Sequence, residues 1–370
     1  MAGKGPASPL APAVAWRHHA LRDGGHDEPR ARGGFTMRIG TRPFGPESLP
    51  VSRLGFGCGG VGGLMVRGAA ADRERAVARA LEAGITYFDT AVQYGDGASE
   101  ENLGAALHRL KAGSALVGTK VRLRSAEFGA IGSAVAASLE GSLRRLRRDH
   151  ADIFYLHNEI TLEGGGENLS VRQVLEEVVP AFRALQEAGR IRVPAMTAVG
   201  ETAALHQVIE AGFFGGAQVI YNMLNPSAGH ALPAGYPAQD YGRLLDRMRA
   251  RRMGAVGIRV LAGGALSGSA ARHPVASPAP APMGSGESYE ADLARAAELM
   301  PLVTEGFAAS LPEAAIRFAV AQPGLETILV GMASLEEFEG ALAAVLKGPL
   351  PEGALRRVAD ISAGFARAPG

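Results

Sequence analysis

Along most of the chain, short runs of Val, Ile, Phe and Tyr alternate with longer Ala/Leu/Glu/Arg stretches whose apolar positions recur at helical spacing, a βα alternation. The strand-like runs are SRLGFG (52–57), ITYFDT (85–90), SALVGTKV (114–121), ADIFYLHN (151–158), RIRVPAMT (190–197), AQVIYN (217–222), AVGIRVLA (255–262) and ETILVG (326–331). Helical spacing predicts helices over 72–83, 99–110, 131–147, 171–188, 202–211, 238–252, 312–321 and 334–345. Each strand is nearly uniformly apolar, as a parallel strand covered on both faces must be. The pattern therefore predicts an α/β fold, a closed (β/α)8 TIM barrel, with an open doubly wound sheet as the competing arrangement.

Four segments fall outside the alternation. Residues 37–51 read as a β-hairpin across the closed bottom of the barrel, and 354–366 as an extra C-terminal helix. Residues 263–290 form a long Gly/Pro/Ser loop after the seventh strand, a length typical of functional loops. Residues 1–36 carry Pro, Gly, Arg and His without periodicity and read as a disordered extension, leaving 37–370 as one barrel domain. Prolines interrupt its apolar stretch PLAPAVAW, unlike a secretory signal, and Met37 is an alternative start.

Composition narrows the partners. Lys+Arg 38 against Asp+Glu 37 leaves a formal charge of +1, so no global field draws the chain onto nucleic acid or an anionic membrane. No apolar run reaches the roughly 18 residues of a membrane-crossing helix. A single cysteine, Cys58, excludes an internal disulfide and any zinc site with two Cys ligands, and the histidines lack metal-ligand spacing. The expectation is a cytoplasmic protein without a bound metal, acting on a small molecule. Oligomeric state is not legible.

In a barrel of this class, reactive groups sit where strands end, on the C-terminal face. Asp89 ends ITYFD, Tyr94 follows in TAVQYGDG, Lys120 ends LVGTK and His157 ends IFYLH. These come from the second, third and fourth strands, which are neighbours in a barrel. Such a set can move a proton at a carbonyl oxygen. Lys120 supplies positive charge that lowers the phenol pKa of Tyr94 from about 10, Asp89 holds Lys120, and His157 positions the oxygen. Taken singly, each has a structural reading: a cap for Asp89, a core ring for Tyr94, a snorkelling charge for Lys120, a buried imidazole for His157. Their placement together at three consecutive strand ends favours chemistry.

ITYFDTAVQYGDGASEENLGAAL resembles the signature of the aldo/keto reductase superfamily, and GTK, LHN, AQVIYN, LAGGALSG and ILVG follow in the same order. The resemblance spans about residues 37–345. It implies an NAD(P)H-dependent oxidoreductase that interconverts an aldehyde or ketone (or a sugar lactol) with the alcohol (or lactone) by hydride transfer. Asp89, Tyr94, Lys120 and His157 fall in the family's catalytic positions. It further implies that Thr197 and Gln218 hold the nicotinamide carboxamide, that Leu261 and Gly264 lie at the pyrophosphate, and that Gly331 and Glu337 lie at the adenosine end. Gly57, Cys58 and Asp89 line the cofactor mouth.

Departures from the pattern concern the cofactor. Ala198 stands where Asn often follows the carboxamide residue, Ile258 where many relatives stack an aromatic ring, and Ala333 and Glu337 where NADP-preferring relatives carry basic or amide side chains. A G-x-G-x-x-G match at 55–60 lacks the helix that a Rossmann site requires directly after it. Two other functions stay open at the level of sequence: a nicotinamide-binding redox-sensing regulatory subunit with little turnover, and a lyase forming a Schiff base on Lys120.

Overall fold

The computed structural model describes residues 38–269 and 271–366. The segment read as a disordered extension and the alternative start Met37 lie outside these residues. Strands β1 (Thr41–Phe44) and β2 (Leu49–Ser52) form an antiparallel hairpin. They are followed by β3 (Leu54–Gly57), β4 (Tyr87–Asp89), β5 (Leu116–Val121) and β6 (Ala151–Leu156). A small parallel pair, β7 (Ile160–Thr161) and β8 (Leu169–Ser170), precedes β9 (Ile191–Thr197), β10 (Gly216–Ile220), β11 (Gly254–Ile258) and β12 (Thr327–Gly331). Strands β3 to β6 and β9 to β12 form one closed barrel. Closure runs through β12 and β3, with Ile328 opposite Leu54 and Val330 opposite Phe56 in parallel register. The chain thus folds as the (β/α)8 barrel its pattern predicts, and the closed sheet excludes the doubly wound arrangement.

Side chains alternate across the barrel wall even where a strand is apolar throughout, because successive Cβ atoms point to opposite faces. Tyr87, Leu116, Ile153, Tyr155, Val193 and Val256 belong to the cluster filling the bore. Their neighbours face the helices: Phe56 packs on Phe338 with ring centroids 5.7 Å apart, and Phe154 on Phe182 at 5.0 Å. The hairpin closes the lower end. Phe44 is fully buried at the starts of β10 and β11. A Cβ on Gly216 would stand 2.5 Å from its ring, and one on Gly254 equally close, so both strands begin with the residue that leaves room for the plug.

Helices depart from the pattern where tertiary contacts intervene. The stretch 238–252 is helical only over Leu244–Ala250, because Gly242 and Arg243 adopt left-handed φ of 58° and 57°. Gln239 is drawn instead to the Gly200 carbonyl at 2.7 Å. The stretch 171–188 is interrupted by a π turn at Val174–Val178, which ends two residues before Pro180. That widened turn accommodates a ring that cannot donate and crowds the preceding turn. The loop after β11 holds a 3-10 segment, Ala262–Ser267, and ends at a helix, Tyr289–Glu298, that the spacing does not predict; its cap is Ser288, accepting from the Ala291 N–H. The C-terminal helix covers Glu352–Phe365. Among the described residues, no helix is long and apolar enough to cross a membrane.

The plug supplies a stability test. Truncating a buried Phe costs about 3–5 kcal/mol, and Phe44→Ala is expected to lower the urea-unfolding free energy by that amount. A loss below about 1 kcal/mol would show that the hairpin does not hold the lower end.

Candidate active site

The strand order brings the singled-out residues to one rim. Asp89 ends β4, Lys120 lies in the adjacent β5, His157 directly follows β6, and Tyr94 lies in the turn after β4. Lys120 is fully buried, and its Nζ donates to Asp89 Oδ1 at 2.5 Å and to the Thr90 carbonyl at 2.7 Å. The same ammonium stands 4.8 Å from the centroid of the Tyr94 ring. Tyr94 and His157 meet edge to face at 6.2 Å. Local sequence fixes this frame. Thr90 bonds the Ser99 hydroxyl at 2.8 Å, which donates to the Cys58 carbonyl at 2.9 Å, tying the turn that carries Tyr94 to the end of β3. Buried Glu100 accepts from Thr119 Oγ1 and Arg145 Nε, anchoring β5 one residue before Lys120.

Burial decides the protonation states. It would lower the Lys120 ammonium on its own, but Asp89 and Tyr94 outweigh it, raising the pKa so that Lys120 stays charged. For Tyr94 the expected lowering by Lys120 is not the net result. Burial pushes the phenol up, Lys120 offsets this only in part, and Asp89 adds to the rise. Tyr94 therefore stands as a neutral phenol. Burial, with the charges of Lys120 and Arg122, holds the His157 imidazolium down to about 3, so the ring is neutral. His157 Nδ1 lies 3.3 Å from the amide oxygen of Gln93. Gln93 is exposed, and rotating its amide decides which ring nitrogen carries the proton.

The residues expected at the cofactor divide into two groups. Leu261, Gly264, Gly331, Ala333 and Glu337 line one cleft of about 660 Å³, together with Arg259 and Arg272. Thr197 ends β9 outside that cleft, and among the described residues its buried Oγ1 has no hydrogen-bond partner. A buried, unpaired hydroxyl is costly, and at this rim it suits a carboxamide. Gln218 donates from Nε2 to Asp89 Oδ2 at 2.6 Å. Gly57 ends β3, and Cys58 is fully buried with its N–H on the Asp89 carbonyl at 2.9 Å; neither lines the 660 Å³ cleft. Burial pushes the Cys58 thiol up, which leaves it unreactive.

The sequence reading overlooked Tyr87 and Tyr155. Tyr87 donates to Asp89 Oδ2 at 2.8 Å and lies 2.9 Å from the Tyr155 hydroxyl. Both sit two residues before a strand-end site residue, Asp89 and His157. The period of two along a strand places them on the same inner face, and that signal could have found them.

Residues 53–363 match the sequence profile of the Aldo/keto reductase family. The chain belongs to this family. Among curated relatives it is 32% identical over 162 residues to L-galactose dehydrogenase of Arabidopsis thaliana, covering 43% of this chain and 49% of that protein. It is 31% identical over 150 residues to the aldo-keto reductase YhdN of Bacillus subtilis, covering 39% and 42%. The chain thus aligns with about half or less of the length of these relatives. Among solved structures, the holo form of an aldo-keto reductase from Bacillus halodurans superposes with a TM-score of 0.64 at 22% identity, covering 88% of this chain and 96% of that one, a likeness of fold. In this family member Asp89, Tyr94, Lys120 and His157 stand together at one rim of the barrel.

The neutral imidazole links the site to stability. Unfolded, His157 takes a proton below about pH 6.5; folded, it resists protonation down to about 3. The unfolded state binds more protons across this window, so the contribution of His157 is intact above pH 6.5 and is lost as pH falls toward 3. Melting temperature is expected to fall less between pH 6.5 and 4 in His157→Gln than in the native chain. Parallel curves would show that the folded imidazole titrates normally.

Proposed function

We propose that this protein is a nicotinamide-dependent oxidoreductase interconverting a small aldehyde or ketone with its alcohol. The observation carrying this reading is a buried Lys120–Asp89 pair, 2.5 Å apart, set against a neutral Tyr94 phenol beside a neutral His157. A carbonyl oxygen at this rim can take a hydrogen bond from Tyr94 and another from His157. As charge develops on the oxygen, Tyr94 gives up its proton, and Lys120 stabilises the phenolate left behind. Asp89 keeps the ammonium charged and aimed. In the reverse direction the phenolate is the base. The buried ammonium serves as an electrostatic support, tied to Asp89 and Thr90, which disfavours its use as a Schiff-base nucleophile.

The residues fit the cofactor. Thr197 offers an unpartnered hydroxyl to a carboxamide, and the cleft from Leu261 to Glu337, about 660 Å³ and lined by Arg259 and Arg272, suits a diphosphate and an adenosine. When bound, a nicotinamide dinucleotide supplies the two-electron reducing equivalent. Arg259 and Arg272 flank Gly263 and Gly264, where a Cβ would stand 3.1 Å and 2.6 Å from their respective guanidinium nitrogens, and they suit the diphosphate charge.

Tyr94→Phe keeps the ring and removes the proton. Turnover is expected to fall by roughly 10²–10⁴-fold, while NADH affinity, read by fluorescence titration, stays within about twofold. Full turnover in this variant would remove Tyr94 from the chemistry.

Charge at the adenosine end favours NADH. Ser334 accepts from the Glu337 N–H at 3.2 Å, and Glu337 Oε2 accepts from the Ala333 N–H at 2.7 Å. This reciprocal capping fills the helix start at Leu335–Leu346 with a carboxylate. A 2′-phosphate there meets like charge, whereas a ribose hydroxyl can donate to Glu337. Arg272 is engaged by the Ser277 and Gly263 carbonyls, and Lys347 by Glu313. NADH is expected to be used at least as well as NADPH. A tenfold or greater preference for NADPH in kcat/KM, about 1.4 kcal/mol, would overturn this.

A further inference from the structure

Beneath the tetrad, the bore of the barrel contains two tyrosines that the mechanism above does not use. Tyr87 on β4 and Tyr155 on β6 are both fully buried. Asp89 is a carboxylate bonded to Lys120, so Tyr87 must be the donor in its 2.8 Å bond to Oδ2. Its single proton is then used, and the 2.9 Å bond between the two phenols has Tyr155 as donor. The result is a directed chain, Tyr155 to Tyr87 to Asp89, ending on the carboxylate that holds Lys120. Room for it is built into the neighbouring strands. A Cβ on Gly118 would stand 2.6 Å from the Tyr87 hydroxyl and 3.2 Å from the Tyr155 ring, and one on Gly55 would stand 2.9 Å from the Tyr87 ring. Two phenylalanines would fill the same bore without a polar group to satisfy, so packing alone does not account for the hydroxyls.

We propose that Tyr87, backed by Tyr155, is a positioning residue for proton transfer at Tyr94: its hydroxyl fixes the Asp89 carboxylate and draws off part of its charge, setting how strongly Lys120 acts on the Tyr94 phenol. This rests on the reading of Tyr94 as the proton donor. The neighbouring groups are Asp89 on β4, Lys120 on β5, Tyr155 on β6, Gln218 on β10, Cys58 after β3, His157 after β6 and Arg259 after β11. Lys120 favours the phenolate and Asp89 opposes it. Cys58 stays protonated and His157 neutral. Arg259 lies close enough to Tyr94 for their charges to interact. Against that background, losing the Tyr87 hydroxyl concentrates charge on Asp89, which disfavours the phenolate and raises the Tyr94 pKa. Cooperative chains strengthen each bond, so losing the Tyr155 hydroxyl acts in the same direction more weakly.

Tyr87→Phe preserves the ring and tests the hydroxyl. In the cofactor-free protein, Tyr94 ionisation is read by ultraviolet difference absorbance, each protein referenced to its own Tyr94→Phe partner. The Tyr94 midpoint is expected to rise by about one pH unit in Tyr87→Phe. With substrate and NADH, kcat for reduction falls about tenfold while KM changes little, and the alkaline limb of its pH profile moves upward by the same amount. An unmoved midpoint in folded Tyr87→Phe protein overturns the proposal. If that variant does not fold, Tyr155→Phe carries the test: a smaller upward shift supports the proposal, and no shift overturns it. Because the absorbance measurement needs neither cofactor nor turnover, it reads the role of Tyr87 even if Tyr94→Phe proves the proposed reaction wrong.

Discussion

A lysine ammonium and an aspartate carboxylate, both withdrawn from water inside the barrel rim, set the terms for the rest of this site. Removing two charges from solvent costs several kcal/mol per ion, and their attraction repays it only when the remaining donors and acceptors are also satisfied. Here they are. Oδ1 of Asp89 receives Lys120, Oδ2 receives Tyr87 and Gln218, and Lys120 has a second acceptor in the Thr90 carbonyl. Such a pair is weak evidence for stability. Its effect is to keep a full positive charge, with little freedom to move, against the Tyr94 ring.

The barrel makes this arrangement possible by dividing labour between its ends. Phe44 and the antiparallel hairpin seal the lower end, so the strand ends at the upper rim can carry polar groups without the bore filling with water. Parallel pairing then places Asp89 beside Gly118, and Lys120 beside Tyr155, on successive strands. Backbone strain gathers where the cleft lined by Leu261 and Glu337 begins. Arg259 and Ala262 both adopt left-handed φ, 56° and 48°, directly after β11. Non-glycine residues in that region cost of order 1 kcal/mol each and persist at sites where surrounding structure holds them. Asn222 does so here, donating to the Arg259 carbonyl at 2.9 Å.

Burial also reverses an intuition about the acid. Beside an ammonium, a phenol in water would ionise more easily. In this rim the loss of solvent outweighs the ammonium, and Tyr94 is held as the neutral acid. The same desolvation keeps His157 neutral, so the phenol and the imidazole stand side by side uncharged, with the Lys120 ammonium against the Tyr94 ring.

Local pattern was enough to determine the eight barrel strands, the hairpin, and three polar residues at consecutive strand ends. A parallel strand buried on both faces must be apolar until the point where it reaches the rim, so a terminal Asp, Lys or His stands out in the chain itself. Tyr94, five residues beyond Asp89, was singled out with them, and the family resemblance added the cofactor positions, of which Leu261, Gly264, Gly331 and Glu337 line a common cleft. What remained illegible depends on partners distant in sequence. The stretch 238–252 has helical spacing throughout, yet Gln239 is taken by Gly200 and the helix starts only at Leu244. The period of two puts Tyr87 and Tyr155 on the inner face with Asp89 and His157, but only closure brings their hydroxyls together across 68 positions. The direction of the Tyr94 shift, the capping of Ala333 by Glu337 and the unpaired Thr197 hydroxyl likewise belong to the folded state alone. Each is set by desolvation or by a hydrogen-bond partner, and neither exists until the chain has closed around it.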